Sequence, residues 1–299
     1  MYWVGGYVGG TYMAFAVWLP YDRWVKASLP VIVHFRPYYV AGQYGEAAAG
    51  AAQQGVPQVL AHDKVGQQPF LDGAWYYVLG FMAFVQQLLS VLRTAIIVVP
   101  IPPKDIPQSD QEGGSIFPKP FIASWPAVVL DAVGAAIDKA SDIGAGKVIP
   151  AADQFIVTAN SRGGLYLINA LKNVSKGVRE IWMFDCLSMD DAWAFSDVNL
   201  RLYIAQPGSF RSLFQHGGSG GDAPQTEREG NDWSVVDISR VPAHGSILHD
   251  LCGRLCFSHA AALSSHLPAI KPNPKLLDVT LTSATSCWDR LEFWKVRMP

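Results

Sequence analysis

The sequence predicts an α/β fold, with a mostly parallel central sheet and helices on both faces. Three observations carry that expectation. Strand-like and helix-like segments alternate along the chain, as they do in β-α-β units. Two strand-like runs, residues 30–35 (PVIVHF) and 94–101 (TAIIVVPI), are almost continuously apolar, as strands buried on both faces are. Half of the 299 residues are hydrophobic and only 16% are charged, which supplies a large core.

The elements follow in order. Residues 12–19 (YMAFAVWL) read as the first strand, stopped by Pro20, and residues 30–35 as the second. Residues 41–73, rich in Gly, Ala and Gln, show no period, so 38–74 reads as a lid or rim insertion. Residues 75–92 read as a helix and 94–101 as the next strand. Pro100, Pro102, Pro103 and Pro107 then force irregular chain to about Pro120, and 103–124 reads as a second rim insertion. In 125–141, Val128, Val129, Ala132, Val133, Ala136 and Ile137 recur at three- and four-residue steps, which predicts an amphipathic helix. A strand at 154–159 (QFIVTA) runs into a helix at 165–172. Strands follow at 180–184 (EIWMF), 200–205 (LRLYIA) and 234–241 (SVVDISRV), the last two separated by a Gly-rich polar loop, 209–231. A long helix at 246–265 and a strand-like run at 277–281 complete the chain. No repeat or linker divides it, so 1–299 is expected to be a single domain.

Composition excludes some functions. The net charge is −2 and Lys and Arg do not cluster, so nothing would attract a nucleic-acid backbone. The apolar N-terminus is broken by glycines and has no basic stretch, so it does not read as a signal peptide. The most membrane-like stretch, 75–92, is interrupted by Gln86, Gln87 and Ser90 and closed by Arg93; it reads as a core helix, not as a stable span. The four cysteines are Cys186, Cys252, Cys256 and Cys287. Cys252 and Cys256 fall on one helix face, and with His249 and His259 they make a stripe that reads either as a metal site or as a buried face, since free cysteine packs as a small hydrophobe. This usage fits a reducing compartment and a cytoplasmic protein.

The chemistry starts at Asn160-Ser161-Arg162-Gly163-Gly164, between the strand QFIVTA and a helix. A strand-to-helix turn this tight strains the backbone of its central serine. Its neighbours two before and two after must be small, and here they are Ala159 and Gly163. That pattern is the nucleophile elbow, with Ala for the first Gly of G-x-S-x-G. The following helix points its positive end at the turn, so the Arg162 N–H can serve as an oxyanion donor. The sequence lacks a Walker lysine and is not G-x-G-x-x-G, which argues against a phosphate cradle.

With this turn inside an alternating chain, the sequence resembles the α/β-hydrolase superfamily, in its serine esterase and lipase branch. The resemblance spans nearly the whole chain and implies a triad in the order serine, acid, histidine. It places the base just past the last core strand, at His244, with His249 as rival. It usually places the acid after the strand that here is LRLYIA, but Gln206-Pro207-Gly208-Ser209 follows with no carboxylate. The acid is then Asp185, at the end of EIWMF, or Asp222 in the Gly-rich loop. The second oxyanion donor falls after PVIVHF, at the N–H of Phe35 or Arg36, since Pro37 has none.

The resemblance implies cleavage of carboxylic esters through an acyl-enzyme, with no metal or organic cofactor. Phe35, Tyr38, Tyr39, Phe117, Phe121, Trp125, Trp193 and Phe195 lie near predicted strand ends, which suggests a small apolar or aromatic ester as substrate. The competing expectation is a non-catalytic ligand- or partner-binding protein on the same fold, motivated by the displaced acid and the altered oxyanion loop.

Overall fold

The computed structural model of the chain describes residues 2–20, 28–35, 83–101, 117–142, 148–161, 163–186, 189–195, 197–205, 227–228, 231–237, 247–270 and 294–297. Ten strands form one sheet: β1 (Tyr2–Val8), β2 (Thr11–Trp18), β3 (Leu29–Phe35), β4 (Ile96–Ile101), β5 (Pro150–Asn160), β6 (Val178–Phe184), β7 (Asn199–Ile204), β8 (Glu227–Arg228), β9 (Asn231–Asp237) and β10 (Trp294–Arg297). Their order is β10-β1-β2-β4-β3-β5-β6-β7-β9-β8. From β4 to β9 every neighbouring pair is parallel, so six strands end at the same edge. The described helices are α1 (Phe84–Ser90), α2 (Lys119–Asp142), α3 (Gly163–Asn173) and α4 (Ile247–Leu263).

Side chains alternate across the central strands into two cores, as the period of two requires. Val31, Val33, Ile96, Val98, Phe155, Val157, Ile181 and Met183 face one side, where α2 and α3 add Trp125, Val129, Val133, Tyr166 and Leu167. Ile32, Ile97, Val99, Ile156, Trp182 and Phe184 face the other, where α1 and α4 add Phe84, Leu88, Cys252 and Phe257. This is the mostly parallel sheet with helices on both faces that the α/β-hydrolase resemblance implies.

Two segments differ from expectation. β1 and β2 form a hairpin in which Val8 pairs with Thr11 across Gly9 and Gly10, both at positive φ (57° and 86°). Such a turn needs left-handed residues at both central positions, and two glycines supply them. Those two glycines therefore form the turn of a hairpin. Helix α2 begins at Lys119, not near Trp125, and Phe117, Phe121 and Ile122 are buried in the core. The helix thus starts inside the expected rim insertion, because a proline at 120 is tolerated in a first helical turn, where its missing N–H costs nothing. The helix kinks at Ser124 (φ −139°), two residues before Pro126, and the Ser124 hydroxyl donates to the Pro120 carbonyl at 2.8 Å. Residues 38–74 and the expected strand at 277–281 lie outside the described residues.

Of the helix expected at 75–92, the described part is α1, seven residues long, with Phe84 and Leu88 buried against α4. Among the described residues, one helix, Lys119–Ser141, is long and apolar enough to cross a membrane, and half of its most apolar stretch is buried. A single such helix, packed in this way, is what a core helix presents.

Candidate active site

The site builds up at the edge where the parallel strands end. β5 runs out at Asn160, and Ser161 turns the chain into α3 with φ 52°. A non-glycine residue in the left-handed region is uncommon, and the conformation costs about 1–2 kcal/mol for an L-residue. The turn is nevertheless held on both sides. The Ser161 N–H donates to the Phe184 carbonyl at 3.2 Å, and the Ser161 carbonyl accepts from Gly164 N–H at 3.2 Å, which opens α3. Ala159, fully buried, lies in register between Phe35 on β3 and Met183 on β6. Gly163, also buried, is the first residue of α3. Small residues therefore flank Ser161 where the sequence pattern requires them. Arg162 lies outside the described residues.

One strand away, β6 ends in the same manner. Asp185 also has a positive φ, 46°, and is buried. Its N–H donates to the Tyr203 carbonyl on β7 at 2.7 Å, and its Oδ1 accepts the Ala205 N–H at 2.9 Å. The carboxylate thus takes the amide just past the end of β7. A carboxylate has about four acceptor sites, so this bond fixes its orientation without exhausting its capacity. Burial pushes the adjacent Cys186 thiol well up, with the Asp185 charge adding to the effect.

Phe35 ends β3 beside Ala159, with its ring buried among Phe117 (centroids 5.8 Å apart) and Trp125 (6.4 Å). Phe35, Phe117, Phe121 and Trp125 are all members of the core, so these four aromatics do not mark a substrate lining as expected. Strand ends and core layers draw on the same residue types, so the sequence does not separate the two. Phe195 is half-buried and packs against the same core. Tyr38 and Tyr39 lie outside the described residues, as do His244 and Asp222. The rival His249 falls in the first turn of α4, and its side chain is not among those described.

The Cys/His stripe is a packing face in its described part. Cys252 and Cys256 are buried, the Cys252 thiol lies 3.9 Å from the Tyr203 carbonyl, and His259 Nδ1 meets the Tyr203 hydroxyl at 2.9 Å. The two thiols share a hydrogen bond that, with burial, pushes Cys252 up and holds it protonated. Among the described residues, no three His, Cys, Asp or Glu side chains gather to hold a metal.

Sequence reasoning missed two features. Asn160, buried immediately before Ser161, donates from Nδ2 to the Phe184 carbonyl at 3.0 Å. Far from the strand ends, buried Glu180 accepts from Trp182 Nε1 (2.8 Å) and Ser264 Oγ (2.5 Å), meets His266 Nδ1 at 2.8 Å and pairs with buried Arg201 at 3.7 Å. The only sequence signals were a polar residue at the elbow and a Glu and an Arg inside apolar strands.

No family model matches the chain, and no curated protein matches it. Solved structures are similar over most of its length. A predicted CIB-like hydrolase from Thermoplasma acidophilum is 10% identical, over 87% of this chain and 98% of its own, with a TM-score of 0.42. An S-formylglutathione hydrolase from Agrobacterium tumefaciens is 12% identical, over 86% and 92%, with a TM-score of 0.40. The BES protein from Bacillus cereus is 8% identical, over 87% and 92%, with a TM-score of 0.42. At these identities the likeness concerns the course of the chain alone, and the fold rests on the strand order and the two-sided core.

Proposed function

We propose that the protein is a serine hydrolase that cleaves carboxylic esters through an acyl-enzyme on Ser161. One observation carries the reading: Ser161 occupies a left-handed turn between β5 and α3, one strand from a buried, oriented carboxylate. Strain of this kind persists only where surrounding structure enforces it, and it concentrates at functional sites.

In the proposed cycle, Ser161 Oγ attacks the ester carbonyl while its proton passes to the His244 imidazole. The tetrahedral oxyanion accepts from the Arg162 and Phe35 N–H groups. The intermediate expels the alcohol, which takes the proton back from His244. Water, deprotonated by the same imidazole, then attacks the acyl carbon and frees Ser161 and the acid. Asp185 orients the imidazole and stabilises its protonated form. His244 is favoured because it falls between β9 and α4 in the chain, as the family resemblance requires; His249 and Asp222 are the alternatives for base and acid.

The proposed substrate is an uncharged apolar or aromatic ester. That reading rests on the aromatic residues that follow β3 and β6 in the sequence, Tyr38, Tyr39, Trp193 and Phe195.

A fluorophosphonate probe tests the reading. Labelling is expected in the wild type and absent in Ser161→Ala, with turnover of an aryl ester lost alongside. A folded wild-type protein that neither labels nor hydrolyses any member of a short- to long-chain ester series refutes it, and leaves the non-catalytic binding protein.

A further inference from the structure

The turns that carry Ser161 and Asp185 share a single peptide group. The Phe184 carbonyl and the Asp185 N–H belong to one planar unit. On one side, that carbonyl accepts from two donors at the end of β5, the Asn160 Nδ2 (3.0 Å) of its last residue and the N–H of the following Ser161 (3.2 Å). On the other, the N–H of the same unit donates to Tyr203 of β7 at 2.7 Å. Asn160 and Phe184 are register partners, so the amide side chain adds a second bond where the ladder already supplies one.

A carbonyl oxygen has two lone pairs, and here both have a donor. Without the Asn160 bond, the plane is held at its N–H by Tyr203 and at its oxygen by Ser161, with the Cys186 thiol a weak donor at 3.7 Å. The Asn160 bond adds a second strong donor at the oxygen and restricts its tilt further. That orientation matters because the φ of Asp185 is the rotation about the bond leaving this plane, and it stands at a strained 46°. The same oxygen anchors the N–H of Ser161, strained at 52°. Asn160 is itself buried, so its bond does not compete with bulk water.

We propose that Asn160 is a positioning residue: its side-chain N–H locks the Phe184–Asp185 peptide and thereby sets the placement of Ser161 relative to Asp185. The inference rests on the serine-hydrolase reading. It assigns Asn160 no contact with substrate. Its effect passes through the two residues it registers.

The test uses the full chain. Asn160→Ala removes the donor, and Asn160→Asp keeps the size and replaces the donor with an acceptor. Each is measured alone and combined with Asp185→Asn, by aryl ester kinetics and by fluorophosphonate labelling rate. Misplacement of reacting groups by about 1 Å costs on the order of 100-fold in rate. Both single variants are therefore expected to lose about 10- to 100-fold in kcat with KM within about threefold. In the Asp185→Asn background, where the placement no longer serves a carboxylate, the further loss should shrink to about threefold or less.

A loss of equal size in both backgrounds overturns the proposal, as does full activity in either folded variant. Failure of both variants to fold also overturns it, because Asn160 then serves the sheet and not the site. The two readings remain distinguishable. A folded wild type with no Ser161-dependent labelling removes the hydrolase reading and this one together. A labelled wild type with unaffected Asn160 variants removes only this one.

Discussion

Replacing Asp185 separates two roles that one carboxylate holds. Its Oδ1 accepts the Ala205 N–H at 2.9 Å in a buried setting, which serves the fold, and its charge would orient the proposed base, which serves the reaction. Asp185→Asn keeps an oxygen for Ala205 and a residue that tolerates a positive φ. Its cost in stability is expected to be below about 1 kcal/mol. Asp185→Ala removes the acceptor from a buried amide, at about 1–3 kcal/mol, and places alanine in the left-handed region, at about 1 kcal/mol more. With roughly 2.1 cal/mol/K of unfolding entropy per residue, a loss of about 2–4 kcal/mol lowers the Tm of a chain this long by about 3–6 °C.

The catalytic effect runs differently. Without the negative charge the imidazole is left in the wrong tautomer, and kcat is expected to fall by about 10⁴ in both variants alike. Aryl ester turnover and scanning calorimetry on the two proteins read the two roles independently. Retention of more than a third of wild-type kcat by Asp185→Asn would refute the reasoning and leave Asp185 as a strand cap. If Asp222→Asn then abolishes turnover, the acid is Asp222.

Two predictions concern stability and reactivity. Glu180→Ala strips the carboxylate from fully buried Arg201 and from Trp182, Ser264 and His266, and should cost about 3–5 kcal/mol in urea unfolding; a change under about 1 kcal/mol would show that the network is redundant. Cys186 and Cys252 are buried, with their ionisation pushed upward, and the thiolate is the reactive form. At mildly alkaline pH both should escape iodoacetamide in the native protein and react only after denaturation, as peptide mass spectrometry would read; rapid native modification of either contradicts their placement.

The parallel strands were legible because a strand buried on both faces is written as an unbroken apolar run. β3, β4, β6 and β7 all lie within two residues of where the sequence puts them. β5 starts four residues earlier than QFIVTA, because its outer part, with Asp153 exposed, carries no apolar signal. β9 starts three residues earlier than expected, at Asn231, because its leading residues are polar. β1 contains two glycines, and β10 (WKVR) is a short sheet-edge strand that pairs with a segment nearly the whole chain away; neither pattern identifies its partner. The turn at Ser161 was legible because its tightness constrains its neighbours, and the strand-end position of Asp185 because it follows an apolar run. The Asn160 bond was not, because it reaches another strand's backbone, and strand register is not written in the sequence at that resolution.

The empty position after β7 acquires a physical account from the same geometry. In the commonest arrangement implied by the resemblance, that strand end carries the acid. Here the chain continues from Ala205 into Gln-Pro-Gly-Ser, and Ala205 presents a backbone N–H toward β6. A carboxylate at the end of β7 would need its own partner to stay oriented. A carboxylate at the end of β6 finds one already in place, because neighbouring parallel strands end at the same edge and the last amide of one meets the turn of the next. Moving the acid one strand over therefore exchanges a side chain on β7 for one on β6 that the Ala205 N–H already holds. Under the proposed function, the acid is missing from β7 because β7 supplies the donor that holds it on β6. Placing a carboxylate at residue 206 in an Asp185→Asn background checks that argument. If the β7 position is competent without such a bond, Gln206→Glu restores at least a tenth of the lost turnover. The geometry predicts that it does not.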